Sequence, residues 1–476
     1  MRQFLALFLL LSAGSVSAAD KPNILFIFAD DQAFHTIHQQ GNSEIKTPHL
    51  DELFSKGTSF THTYNQGGWN GAVCVASRTM LNTGRYLWHA LKDEESLKSE
   101  WVPSNKMWAQ QLATAGYQTF FTGKWHVKAD PNKVFEVARN VRGGMPNQTP
   151  AGYDRPKSRD DNAWKPWDTS FEGFWKGGKH WSEVLGDDAV DYMNMAKADE
   201  RPFFMYLAFN APHDPRQSPK EFVDMYPVDD IKVPASFAPL YPYDIGIKTL
   251  RDELLAPYPR TEYSVQVNRQ EYYAIITHMD QQIGRILKSL KETGQEDNTW
   301  IFFTADHGLS CGNHGLLGKQ NMYDHSVRIP FVVVGPGVEA GRHIGKRIYM
   351  QNVMPTTLEL AGVTKPEHVE FESLLPLLKD GSPEVSGDVY GAYINVQRMV
   401  TVGNEKLVMY PKTGVSLLYN LKDDPEELRD LSSKDGSHAT KKRLFKEFLV
   451  HQQVVGDTLD AVAAFPELAD QQGPRP

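Results

Sequence analysis

The 476-residue chain contains only two cysteines, Cys74 and Cys311. That excludes a disulfide-stapled scaffold and any zinc or iron–sulfur site built on cysteine. The count alone leaves one Cys74–Cys311 disulfide open. Excess positive charge is also missing. Lys and Arg number 50 against 59 Asp and Glu, a net charge of −9. Binding to nucleic acid through bulk positive charge is therefore excluded. No apolar run reaches the ~20 residues of a membrane span. There is no internal repeat and no low-complexity tract. Apolar residues at 41% and charged residues at 23% are ordinary for a globular chain and wrong for a disordered one.

The N-terminus reads as a secretory signal. Arg2 gives a positive start, and Phe4 to Leu11 is an unbroken apolar run. Val16-Ser17-Ala18 or Ser17-Ala18-Ala19 offers small residues for cleavage. A buried N-terminal strand or helix is the other reading of that run. The expectation is a signal over residues 1–19 and an exported protein, periplasmic or secreted, with no membrane partner.

From residue 20 to about 375, strands and helices alternate. Asn23 to Phe28, Phe203 to Phe209, Trp300 to Thr304 and Phe331 to Val334 are apolar runs suited to strands buried on both faces. Helices are expected over 48–56, 75–84, 105–115, 186–197 and 266–292, with further strands over 59–63 and 117–121. Repeated βα units imply an α/β fold with a mainly parallel central sheet flanked by helices. Beyond 375 the texture changes. Short strands over 388–394, 399–402, 406–410 and 416–420, then a helix over 439–454, imply a smaller α+β subdomain with an antiparallel sheet, spanning 376–476.

Acidic residues gather where strands end. Asp30 and Asp31 follow one buried strand, and Asp306-His307-Gly308 follows another. In open α/β sheets, ligands bind beyond the carboxyl ends of the strands. Carboxylates converging there repel unless a hard cation holds them, Ca²⁺ ahead of Mg²⁺. Polar strand exits that cap helices are the plainer alternative. Cys74 opens the segment Cys74-Val75-Ala76-Ser77-Arg78, which continues to Thr83-Gly84-Arg85. A nucleophile opening a helix sits where backbone N–H groups favour an anion. Arg78, at i+4, points the same way. Cys311 reads as a small buried hydrophobe.

The Cys74–Arg85 run resembles the maturation and active-site motif of the formylglycine-dependent, type I sulfatases of the alkaline phosphatase superfamily. Further matches follow in family order. They include Thr47-Pro48-His49-Leu50-Asp51, Gly123-Lys124-Trp125-His126, Ala211-Pro212-His213-Asp214-Pro215, Thr304 to Gly308, and Gly318-Lys319. Leu418-Tyr419-Asn420-Leu421 with Asp424, Pro425 and Glu427 resembles the family's C-terminal pattern. The resemblance spans nearly the whole chain after residue 19.

The resemblance implies a sulfuric ester hydrolase. Cys74 would be oxidised to formylglycine by a maturation enzyme, and its hydrate would attack sulfur. That role leaves no thiol for a disulfide. Asp30, Asp31, Asp306, His307 and the residue-74 oxygen would hold Ca²⁺. His307 stands where many members carry Asn and others His. Arg78, Lys124 and Lys319 would surround the sulfate. His213 would protonate the departing alcohol, and His126 would take a proton from the remaining hydroxyl of residue 74.

The leaving-group side is less defined. Trp164, Trp167, Trp175 and Trp181 lie in a polar segment with Lys176, Lys179 and His180. Aromatic faces bind sugar rings, so a sulfated polysaccharide or oligosaccharide such as a carrageenan fragment is the expected substrate. A structured insert packing its own tryptophans is the alternative. Trp69, His89 and His314 lie near matched motifs and are further pocket candidates. A phosphonate or phosphodiester hydrolase of the same superfamily is the alternative activity. A non-enzymatic glycan-binding relative would be expected to break the Cys74 or Asp306 motif, and both are intact.

Overall fold

A computed structural model describes residues 21–145, 150–248 and 250–469. The expected signal over 1–19 and the last residues, 473–476, lie outside the described residues. Among the described residues, no helix is long and apolar enough to cross a membrane.

The elements that place the site are these, in chain order. β1 is Asn23–Ala29, α1 Pro48–Lys56, β2 Thr58–Phe60, β3 Gly67–Gly68 and α2 Val73–Thr83. β4 is Gln118–Lys124, β5 Val137–Arg142, α3 Trp181–Lys197, β6 Phe203–Ala208 and α4 Glu262–Glu292. β7 is Thr299–Ala305, β8 Phe331–Val334 and β9 Arg342–Ile344. The C-terminal part holds β10 Val389–Tyr393, β11 Gln397–Val402, β12 Glu405–Tyr410, β13 Val415–Asn420 and α5 Ser437–Val454.

The large sheet runs β9–β2–β8–β7–β1–β6–β4–β5. Its centre is parallel: β1 pairs with β7 and β6, and β6 with β4. The apolar runs explain the position of β1. Ile24 to Phe28 have no exposed surface. Phe26 packs edge-on against Trp108 and Tyr206. Each such fully buried side chain contributes about 1.5–3 kcal/mol of apolar burial.

The expected α/β architecture stands, with three differences. β8 runs antiparallel to β7, Thr304 opposite Phe331. A parallel partner needs a crossover helix of full length. The chain between Ala305 and Phe331 instead stays at the end where β7 stops and then turns back. β4 extends to Lys124 rather than ending at 121, so the strand itself carries that lysine. α3 starts at Trp181, capped by the His180 side chain accepting the Ser182 N–H, five residues earlier than the pattern of apolar positions suggests.

The second sheet runs β13–β12–β11–β10–β3, antiparallel except where β3 joins β10. The C-terminal sheet thus takes an edge strand from residues just before α2. Gly67 makes this possible: its φ is +95°, and a Cβ there would lie 1.9 Å from the Ala392 carbonyl oxygen. Only glycine fits that approach. Buried Lys406 on β12 ties the halves again, 2.9 Å from Asp324 Oδ1 and 2.7 Å from Glu427 Oε1.

Candidate active site

Strand register assembles the site. Ala29 lies opposite Ala305, so Asp30 and Asp306 leave adjacent parallel strands at the same level. Phe28 lies opposite Ala208, and Gly123 opposite Ala208 on the other side. The carboxyl ends of β7, β1, β6 and β4 therefore deliver Asp306, Asp30, the His213 loop and Lys124 to one place. Gly123, at φ +100°, passes so close to Ala208 that a Cβ would fall 1.9 Å from its carbonyl oxygen. The register shifts there, and this shift sets where Lys124 emerges.

α2 brings the nucleophile position. Its last turn ends at Gly84, whose left-handed backbone donates to the Met80 carbonyl. Cys74 is 1% exposed. Its thiol lies 3.2 Å from Asp30 Oδ1, and the Lys319 ammonium lies 3.0 Å from its sulfur. Burial, with the charges of Asp30 and Asp306, pushes the thiol pKa well up, although Lys124 and Lys319 pull the other way. Burial is the larger cause, and it opposes the anion that the start of a helix favours at Cys74. Cys74 and Cys311 are both free and buried, so there is no disulfide between them.

The charged groups interlock. The Lys319 ammonium spans both oxygens of Asp31, at 2.8 and 2.6 Å. Lys124 pairs with Asp30. Arg78 Nε donates to Asp306 Oδ2 at 3.0 Å, and its Nη1 to the Lys124 carbonyl at 2.6 Å. The Arg78 guanidinium also lies over the Phe28 ring, 4.8 Å from its centre. Burial opposes the charge on Asp30, but Lys124 and Arg78 hold its carboxyl far below the usual range. Burial and the like charge of Asp30 push Asp306 up to about 6.

Asp31 sits at φ +67°, a left-handed backbone that a non-glycine residue seldom adopts. Three bonds fix it. Its N–H donates to Asp306 Oδ1 at 3.0 Å. The Tyr272 hydroxyl donates to its carbonyl at 2.6 Å and accepts the Ala33 N–H at 3.0 Å. Asn65 and Ser77 both donate to the Asp306 carbonyl, at 2.6 and 2.8 Å.

Two histidines lie beside this cluster. His213 Nε2 lies 3.3 Å from Asp31 Oδ2, and its Nδ1 2.8 Å from Asp214 Oδ1. His126, at φ +55°, has a buried Nδ1 without a hydrogen-bond partner. Burial and the nearby positive charge of Lys124 lower its pKa to about 3, so the ring is neutral.

The donors fit a hard cation. Asp30, Asp31, Cys74 and His213 have ligand atoms within 4.8 Å of one another. Asp306 stands one step back, bound to Arg78 and the Asp31 N–H. His307 Nδ1 donates to the Gly308 carbonyl at 2.8 Å, while its buried Nε2 has no partner. Burial lowers the His307 pKa to about 4, so that nitrogen carries a free lone pair. Carboxylates and one bare imidazole nitrogen are groups a divalent cation accepts.

Every named site residue thus lies at or beside one cluster. The other candidates do not. Trp69 packs into the core beneath the C-terminal sheet. His89 pairs with Glu370 at 2.6 Å, and His314 stacks on Tyr323. Trp164 stacks on Phe171, Trp175 meets His180 edge-on, and Arg142 covers Trp181. Lys220 lies over Trp167. The four tryptophans are partnered by protein, which favours the structured insert over an open sugar platform. Sequence reasoning missed Tyr272, for nothing marks a tyrosine in mid-helix. It also gave no role to Asp214, although His213-Asp214 stood in a matched motif.

Comparison with known proteins identifies the family. The model of the sulfatase family matches residues 22–363, and that of the C-terminal part of N-sulphoglucosamine sulphohydrolase matches 312–454. An arylsulfatase of Clostridium perfringens is 27% identical over 86% of this chain and 90% of its own. An ulvan-active sulfatase of Formosa agariphila is 26% identical over 87% of this chain and 78% of its own. A structure solved in complex with its substrate D-glucosamine-2-N,6-O-disulfate shares the fold, with a TM-score of 0.71 and 21% identity over 92% of this chain and 99% of that one. The family model covers most of the chain and every residue of the cluster, so the chain belongs to the sulfatase family and is a sulfuric ester hydrolase.

Proposed function

We propose that the chain is an exported sulfatase that removes sulfate from a sulfated carbohydrate, using formylglycine formed from Cys74 and a bound Ca²⁺. The observation that carries this reading is the setting of Cys74. Its side chain is buried between Asp30 and the Lys319 ammonium, and Lys124 and Arg78 pair with the aspartates beside it. Relatives named for ulvan and a fold neighbour holding a disulfated glucosamine support a carbohydrate substrate.

Formylglycine at residue 74 would supply a hydrated aldehyde, with one hydroxyl for attack on sulfur and a second to lose a proton as sulfate leaves. Asp30, Asp31, Asp306 and His307 would hold Ca²⁺, which would supply Lewis acidity toward the sulfuryl oxygens. The protein's own groups do the rest. Lys124, Lys319 and Arg78 balance charge on those oxygens in a site closed to water, where such contacts are strong. Asp214 fixes His213 through Nδ1, and Nε2, which points toward Asp31, is the nitrogen that would give a proton to the departing sugar oxygen. His126 is neutral, with an unpartnered nitrogen, and accepts the proton from residue 74. Export rests on the signal pattern of residues 1–19, and formation of the aldehyde on a maturation enzyme that oxidises Cys74.

The test is release of sulfate from a panel of defined sulfated oligosaccharides, carrageenan and ulvan fragments among them, with the position lost read by NMR. Phosphate diesters and phosphonate esters form the second arm. Faster turnover of the phosphorus esters would overturn the reading in favour of the phosphonate or phosphodiester hydrolase.

A further inference from the structure

Arg78, Lys124 and Lys319 are at most 1% exposed and committed to the aspartates. Arg251 is different. It opens a short helical turn, Arg251–Leu255, in the long connection between β6 and α4. Its Nε donates to Asp252 Oδ1 at 2.5 Å, and 36% of its side chain is open to solvent. Its Nη2 is buried and has no hydrogen-bond partner.

Its position is tied to the site from two sides. Asp252, which holds its Nε, also accepts from Gln320 at 2.8 Å, the residue after Lys319. Gln320 in turn reaches the Gly71 carbonyl, three residues before Cys74. On the other side, the guanidinium lies within electrostatic reach of Asp214 and of the Cys74 position. Tyr153, which donates to Asp214 Oδ2 at 2.6 Å, and Tyr393 also lie within reach of the Arg251 charge. Arg251 thus stands at the rim of the cluster, one edge fixed by Asp252 and one nitrogen unsatisfied.

We propose that Arg251 is a specificity-determining residue that binds a second anionic group, sulfate or carboxylate, on the sugar carrying the scissile sulfate. The inference rests on the carbohydrate sulfatase reading. A planar guanidinium with one edge fixed presents its remaining N–H groups as a preorganised fork for an oxyanion. The open part of the side chain gives a ligand access to the guanidinium, and the buried Nη2 is a donor with no acceptor from the protein. A simple structural ion pair with Asp252 would use Nε alone and would leave Nη2 as it is.

The experiment compares kcat/KM for matched substrates: glucosamine 6-sulfate against glucosamine 2-N,6-O-disulfate, galactose 4-sulfate against galactose 2,4-disulfate, and a monosulfated disaccharide with and without a uronate carboxylate. Wild type should prefer the member with the extra anion in at least one pair. In Arg251→Gln and Arg251→Ala that preference should shrink roughly 10- to 100-fold, the range of a charged hydrogen bond, mainly through KM. Arg251→Lys, which keeps the charge and loses the fork, should recover part of it. Equal losses on both members of every pair, or no preference in wild type, would overturn the proposal. If wild type releases no sulfate from these sugars or from nitrophenyl sulfate, the functional reading itself fails. Melting curves of all three variants separate misfolding from lost recognition, and Arg251→Gln stands in should the alanine variant not fold.

Discussion

Tyr272 reaches Asp31 from the middle of α4 and holds its carbonyl at 2.6 Å, across 241 positions of sequence. The left-handed backbone of Asp31 persists because bonds like this one over-determine it. Tyr272→Phe should lower apparent Ca²⁺ affinity or kcat/KM roughly 10- to 100-fold, the usual effect of losing a support behind a metal ligand. Calcium titration of activity is the measurement. Unchanged midpoint and rate would show that Asp31 needs no such brace.

Active protein should carry formylglycine at residue 74, seen as the aldehyde in peptide mass spectra. Cys74→Ala should abolish turnover and leave the melting temperature nearly unchanged. Full activity in a preparation whose residue 74 is entirely unmodified thiol would sink the proposed nucleophile.

Chelation should remove activity and lower thermal stability, and Ca²⁺ should restore both. A cation at about 100 times its Kd adds about 2.7 kcal/mol to the folded state. Asp306→Asn and His307→Ala should each shrink that gain. Undiminished turnover in protein shown metal-free by elemental analysis would rule the site out.

His213→Ala tests the proton donor. A sugar alkoxide needs a proton to leave, and a nitrophenolate needs it far less. A positioned general acid contributes roughly 10²–10⁴-fold. The variant should therefore lose that much on sugar sulfates and much less on nitrophenyl sulfate. Equal losses on the two would leave His213 a binding residue.

Lys406→Met should cost roughly 3–5 kcal/mol in chemical denaturation, because it strands Asp324 and Glu427 as buried carboxylates. A loss below about 1 kcal/mol would show that one of them is already neutral.

Much of this was legible in the sequence because strand ends are. Asp30 and Asp306 each follow a run of buried apolar residues, so their type and place could be read together. Matched motifs then brought in Cys74, Lys124 and His213. What escaped was long-range support. Tyr272 and Arg251 sit in segments whose local pattern describes only a helix or a loop. Their roles come from which distant backbone folds against them. The direction of β8 was equally hidden, since an apolar run of four has no polarity until its connection is known. The tryptophans left two readings open because ring content says nothing of whether a face is already covered.

α2 is buried from Cys74 to Thr83 except for Val75, and Cys74 itself is 1% exposed. Another enzyme cannot grip a side chain with so little access. The proposed oxidation of Cys74 therefore has a deadline, which is the moment the chain folds. On that proposal, the active fraction of a preparation would be set during synthesis, by the race between the maturation enzyme and folding. Later incubation of folded protein with that enzyme should not raise it. Activity per molecule then reports the host's history rather than the storage conditions.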